Sequence, residues 1–125
     1  MLGELPQRGT DQQGSGHYGA PREHRFHRGV DLACYPGTAI YCTVDGTVTK
    51  LGYPYRGRLE FRYVQVTDAE GLAHRFFYIE PAVDVGQEVT PDTVLGVSQE
   101  LPYEGITQHV HYEIKRGSEY LDPTQ

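Results

Sequence analysis

The chain is short of basic residues, of cysteine and of long apolar runs, and each shortage narrows what it can do. Its 125 residues include 11 Lys or Arg against 17 Asp or Glu, a formal charge of −6. That balance, with no basic run and no base-stacking motif, argues against a nucleic-acid partner. No apolar stretch is long enough to span a membrane. No segment shows a long helical period, and there is no internal repeat, phosphate loop or Ser-His-Asp arrangement. Only two cysteines occur, Cys34 and Cys42. The turn-like Tyr35-Pro36-Gly37-Thr38 between them allows a disulfide, and two half-buried thiols are the alternative. A bridge would favour an extracytoplasmic setting. Met1 to Gln13 lacks the charged-then-apolar pattern of a signal peptide. Either export takes another route or this is an excised mature domain.

What is present is a β pattern in a chain of single-domain size. A chain of this length buries roughly two thirds of its unfolded surface, so its core needs no metal staple. Residues 1–15 are polar, rich in Gly and Gln, and read as a mobile tail; 16–125 read as one domain. Gly and Pro punctuate short runs of strand type. The expected strands are 39–43, 47–51, 59–67, 72–79, 93–98 and 109–115. The run 81–89 reads as a turn into a short strand. A mainly antiparallel β domain follows.

Two histidine pieces stand out against this background. One is His27-Arg28-Gly29-Val30-Asp31, the other His109-Val110-His111. Together they offer two imidazoles and a carboxylate to a metal, with one histidine to spare. That is the donor set of a catalytic zinc site with an open fourth position. Side chains two apart share a strand face. His109, His111 and Glu113 therefore share one face, and Val110, Tyr112 and Ile114 the other. By the same parity His74, Phe76 and Tyr78 oppose Arg75, Phe77 and Ile79, so Tyr78 could approach the histidines if its face looks into their groove. In a straight strand His27 and Asp31 would lie about 13 Å apart. Two ligands of one zinc lie only about 3–3.5 Å apart. The chain is therefore expected to bend between them, with Gly29 supplying the φ freedom.

Beyond these pieces the sequence resembles the M23 peptidases, the lysostaphin and LytM group of zinc endopeptidases that cut peptidoglycan peptides. The likeness runs through His27-Arg28-Gly29-Val30-Asp31-Leu32-Ala33, Pro36-Gly37-Thr38-Ala39-Ile40-Tyr41 and Asp45-Gly46-Thr47-Val48. It continues in Val85-Gly86-Gln87-Glu88-Val89, Val94-Leu95-Gly96, His109-Val110-His111-Tyr112-Glu113 and Asp122-Pro123. The motifs stand in order from about Tyr18 to the end.

The resemblance implies a single antiparallel M23-type domain with the zinc in a groove. It implies Zn²⁺ held by His27, Asp31 and His111, with His109 as the catalytic histidine. Glu113 lies on the same face and could orient an imidazole, with a solvated strand carboxylate as the alternative. The family's further catalytic histidine, in a Tyr-x-His-Leu segment, is replaced by Tyr78 in Phe76-Phe77-Tyr78-Ile79-Glu80-Pro81. A phenol is a poor base at neutral pH but can donate a hydrogen bond to an oxyanion. His74, about 13 Å further along the strand, is not expected to substitute.

In the family, loops near Tyr53, Tyr55 and Arg58 wall the substrate groove; an ordinary hairpin loop is the alternative. His17 or His24 could fill the open metal position in a latent form, against a default of solvated loop histidines. The expected activity is hydrolysis of peptidoglycan peptide bonds by a secreted or periplasmic enzyme, monomeric by default. The alternative is a non-catalytic zinc-binding protein of the secreted chemotaxin type, with a protein receptor as partner. Phe77-Tyr78-Ile79-Glu80-Pro81 and the run from Tyr103 to His111 carry that second likeness.

Overall fold

The site-bearing strand lies inside a broad antiparallel sheet, and its neighbours decide which side chains meet. A computed structural model describes residues 29–102 and 106–122 in full. It also gives the backbone pairing of two short ribbons, Thr10–Asp11 with Gly14–Ser15 and Pro21–Arg22 with Arg25–Phe26. The tail expected over 1–15 falls largely outside the described residues. So do His17, His24 and His27.

Ten strands follow in chain order. They are β1 (Val30–Ala33), β2 (Ala39–Tyr41), β3 (Gly46–Gly52), β4 (Tyr63–Asp68) and β5 (Ala73–Phe77). The rest are β6 (Ile79–Pro81), β7 (Glu88–Val89), β8 (Val94–Ser98), β9 (His109–Arg116) and β10 (Glu119–Leu121). The larger sheet has the order β7-β3-β4-β5-β9-β10, and β1 also pairs with β9. One edge of β9 is taken by β5, and the other is shared by β1 and β10. A smaller sheet has the order β6-β8-β2. All the pairings are antiparallel, as the sequence pattern indicates.

The core lies on the face of the large sheet that carries Val48, Val64, Val66, Phe76, Val110 and Tyr112. Ile40, Ile79 and Leu95 of the small sheet join it. Burying such side chains contributes about 1.5–3 kcal/mol each. On this face Tyr112 packs against Phe76 with ring centroids 5.0 Å apart. Its hydroxyl meets His74 Nδ1 at 2.7 Å and Thr43 Oγ1 at 3.0 Å. His74 Nε2 in turn meets Asp68 Oδ2 at 2.9 Å. A buried polar chain is thus fully partnered, as a low-dielectric interior requires. Burial pushes the Tyr112 hydroxyl up to about 12.

Two expectations need correction, and the choice left open for the cysteines is decided. The run 59–67 forms a strand only from Tyr63, because 56–60 turn back on themselves through Arg58 N–H to Tyr55 O and Phe61 N–H to Arg58 O. The run 72–79 is broken at Tyr78, which has φ +69° and passes the chain from β5 to β6 in the other sheet. Cys34 and Cys42 are free thiols and form no disulfide. Cys42 is buried in the core and donates to Val44 O at 3.2 Å, while Cys34 lies just beyond β1 in the other sheet. Burial raises both thiol pKa values, so both are poor thiolates.

Candidate metal and catalytic site

Register builds the site. His111 of β9 stands opposite Asp31 of β1 on one side and Phe77 of β5 on the other. Phe77 stands opposite Tyr63, and Tyr63 opposite Gly52. Side chains in one transverse row share a sheet face. Asp31, His111, Phe77 and Tyr63 therefore line up across the face opposite the core. Phe77 and Tyr63 stack at 4.9 Å, and the His111 ring meets Phe77 edge-on at 5.2 Å. A Cβ at Gly52 would come within 2.5 Å of the Tyr63 ring, so the missing side chain there makes room for that ring.

The polar groups interlock. His111 Nδ1 lies 2.8 Å from Asp31 Oδ1, and His111 Nε2 lies 3.0 Å from Glu113 Oε1. Asp31 and Glu113 are both buried. His109, also buried, has Nδ1 at 2.6 Å from the Thr107 carbonyl and Nε2 at 3.5 Å from Asp31 Oδ2.

Hydrogen-bond accounting fixes the ring states. A carbonyl can only accept, so His109 Nδ1 carries a proton, and Nε2 faces the Asp31 carboxylate. Glu113 likewise claims a proton on His111 Nε2. The neutral His111 ring would then aim its Nδ1 lone pair at the carboxylate of Asp31. Two acceptors 2.8 Å apart need a cation between them, either a proton or a metal ion. Burial opposes the charged form of His111, but its bonds to Asp31 and Glu113 outweigh that. Its pKa stands above the ordinary histidine range.

Asp31 and His111 offer one carboxylate and one imidazole, two donors of a kind that zinc takes, and Glu113 fixes the far side of that imidazole. Among the described residues no three His, Cys, Asp or Glu side chains form a metal cluster. His27, the third expected donor, lies outside them.

Tyr78 reaches this face by a route that parity does not foresee. His74 and Phe76 point to the core, whereas Arg75 and Phe77 point to the site. The left-handed backbone at Tyr78 breaks the alternation. Its ring stands edge-on to His109 at 5.6 Å. Its hydroxyl shares a 2.6 Å hydrogen bond with that of Tyr55. Of the loop residues, Tyr55 therefore joins the site wall. Tyr53 is exposed and stacks under the Arg62 guanidinium at 4.5 Å. Arg58 pairs with Glu60 and lies over Phe61. His74 is held on the far face and does not reach the site.

Gly29 has a further part besides the bend expected between His27 and Asp31, a bend whose first residues lie outside the described ones. A Cβ there would meet Tyr112 O at 2.3 Å, Glu113 Cβ at 2.9 Å and His111 Cε1 at 3.0 Å. The glycine lets the chain lie against β9, and no positive φ is involved. Sequence reasoning also passed over Arg75, Gln65 and the Thr107 carbonyl. Only the strand register could have revealed the first two, and no side-chain pattern marks a carbonyl.

Comparison with solved structures places the fold. The chain superposes on lysostaphin from Staphylococcus simulans with a TM-score of 0.76 at 20% identity, covering 98% of this chain and 50% of that one. The catalytic domain of the prophage-encoded M23 protein EnpA from Enterococcus faecalis, a point mutant, gives a TM-score of 0.73 at 20% identity. That match covers 98% of this chain and 91% of that one. The model of peptidase family M23 matches residues 25–123. The chain belongs to that family. Leukocyte cell-derived chemotaxin-2 of Mus musculus is 32% identical over 119 residues, which is 94% of this chain and 76% of that one.

Proposed function

We propose that the chain is a zinc endopeptidase of the extracytoplasmic space that hydrolyses peptide bonds of bacterial peptidoglycan. His27, Asp31 and His111 would hold the zinc, within a domain spanning 16–125. The observation that carries the reading is the opposite hydrogen-bonding of the two histidines of His109-Val110-His111. His111 turns its Nδ1 to Asp31, and His109 donates Nδ1–H to the Thr107 carbonyl while its Nε2 faces the same carboxylate, where a neutral ring would serve as a proton acceptor. A site that only retained metal would have no use for the second arrangement.

Zinc in this place supplies Lewis acidity toward a scissile carbonyl and toward water. The protein's own groups do the rest. His109 Nε2 accepts the proton of the attacking water and later returns it to the leaving amine. Tyr78, edge-on to His109, offers its hydroxyl to the developing oxyanion, with Tyr55 fixing that hydroxyl. Phe77 stands edge-on to His111 and Tyr55 holds Tyr78, so these two rings would flank a bound peptide.

A second reading is a zinc-binding recognition protein without turnover. Tyr78 favours it, because a phenol whose hydroxyl is tied to Tyr55 is no base at neutral pH. The relative named leukocyte cell-derived chemotaxin-2 points the same way. Digestion of defined muropeptides by the zinc-loaded chain, followed by product masses, decides between the two. New termini that disappear in His109→Ala support the peptidase. Intact muropeptides after prolonged incubation support the recognition protein.

A further inference from the structure

A second transverse row runs beside the first. Glu113 stands opposite Arg75, and Arg75 opposite Gln65. Arg75 Nη1 forms an ion pair with Glu113 Oε2 at 3.5 Å, and Arg75 Nε donates to Gln65 Oε1 at 2.9 Å. Gln65 Nε2 donates to Thr49 Oγ1 at 3.0 Å, and Thr49 shares a 2.9 Å hydrogen bond with Thr67. The Arg75 guanidinium also lies over the Tyr63 ring, 5.4 Å from its centre. A continuous polar chain therefore crosses from β3 through β4 and β5 to β9. It ends on the His111 ring.

We infer that Arg75 is a positioning residue for the metal centre, acting through Glu113 on the orientation of His111. The inference rests on the zinc reading above. Glu113 is buried, and its two oxygens have different partners: Oε1 takes His111 and Oε2 takes Arg75. With both held, the carboxylate cannot turn about its terminal torsion. The His111 ring is then locked with Nδ1 toward Asp31. Without Arg75 one oxygen loses its partner, the carboxylate turns, and the ring loses its stop. Arginine suits the task because its planar fork reaches Gln65 and Glu113 at once while its face rests on Tyr63. The outer partners of metal-bound histidines typically govern affinity by about 10–100-fold.

The test is zinc affinity of the full chain by chelator competition, with Arg75→Met and Arg75→Lys beside the wild type. Arg75→Met should bind zinc about 10–100-fold more weakly. Arg75→Lys keeps the charge but loses the fork, and should recover only part of that loss. The His111 Nε2–H resonance of the zinc-loaded protein should be protected from exchange in the wild type and exposed in Arg75→Met. Circular dichroism of the metal-free proteins checks that the variants are folded; Arg75→Met is expected to lose stability because it strands Glu113 Oε2, so positioning is read from the His111 proton and from the partial recovery in Arg75→Lys. If Arg75→Met does not fold, Arg75→Lys carries the test. Folded variants that bind zinc as tightly as the wild type, with the His111 proton still protected, would overturn the inference. A wild type that binds no zinc would instead overturn the reading beneath it.

Discussion

Replacing Gly29 with alanine would push its segment off β9, and the size of the effect can be worked from contacts. The new Cβ would sit 2.3 Å from the Tyr112 carbonyl oxygen. Carbon and oxygen normally stay beyond about 3.2 Å, so the backbone must give way by nearly an ångström. Neither neighbour can yield cheaply, because one is a backbone carbonyl and another is the Cβ of buried Glu113. Overpacking of this kind costs about 1–3 kcal/mol. It acts where Asp31 and His111 are held at 2.8 Å, two residues along the same segment. Urea unfolding should therefore show the midpoint falling by on the order of 1 M with the slope unchanged. Zinc affinity should fall with it. Gly57→Ala is the control, since nothing lies within 4 Å of its Cβ position, and it should leave both unchanged. A Gly29→Ala protein with wild-type midpoint and wild-type zinc affinity would refute the close approach of this segment to β9.

Further outcomes follow from the same geometry. His109→Ala should lower muropeptide turnover by about 10²–10⁴-fold while zinc stays bound, as metal analysis beside kinetics would show. Tyr78→His should raise turnover if position 78 faces the cation, and an unchanged rate would contradict that placement. Tyr112→Phe should cost about 1–3 kcal/mol in urea unfolding, because it strands His74 Nδ1 in the core. Burial works to raise the Asp68 pKa, but His74 and the amides of Leu72 and Glu70 outweigh it and hold the carboxyl below its ordinary value of 3.8. Its folded value is thus the depressed one. The stability it contributes is complete above about pH 4 and is lost as pH falls through the folded value. Acid unfolding should be shallower in that window for Asp68→Asn than for the wild type.

Much of the architecture was legible from alternation alone. His109, Val110, His111, Tyr112 and Glu113 announce a strand with one polar and one apolar face, and β9 has both, but His109 and Glu113 are buried too, so the strand is covered on both sides rather than half-buried. What escaped was whatever depends on pairing or on a single dihedral angle. Arg75 looks like any charged strand residue until register sets it against Glu113. Tyr78 seems to share a face with His74 until its positive φ turns it to the other side. Gly29 reads as a hinge, and only the pairing shows that it also lets two backbones approach. Cys34 and Cys42 look poised to bridge across a turn, but their segments join different sheets and the Cys42 thiol is spent on Val44. Local chemistry gave the candidates, and long-range pairing chose among them.

The most direct test is metal stoichiometry of the purified full chain, by elemental analysis of protein never exposed to chelator, for the wild type and for His111→Ala. The account predicts one zinc per wild-type chain and strongly reduced zinc in the variant. A folded wild-type protein that carries no zinc and takes none up from solution would contradict it.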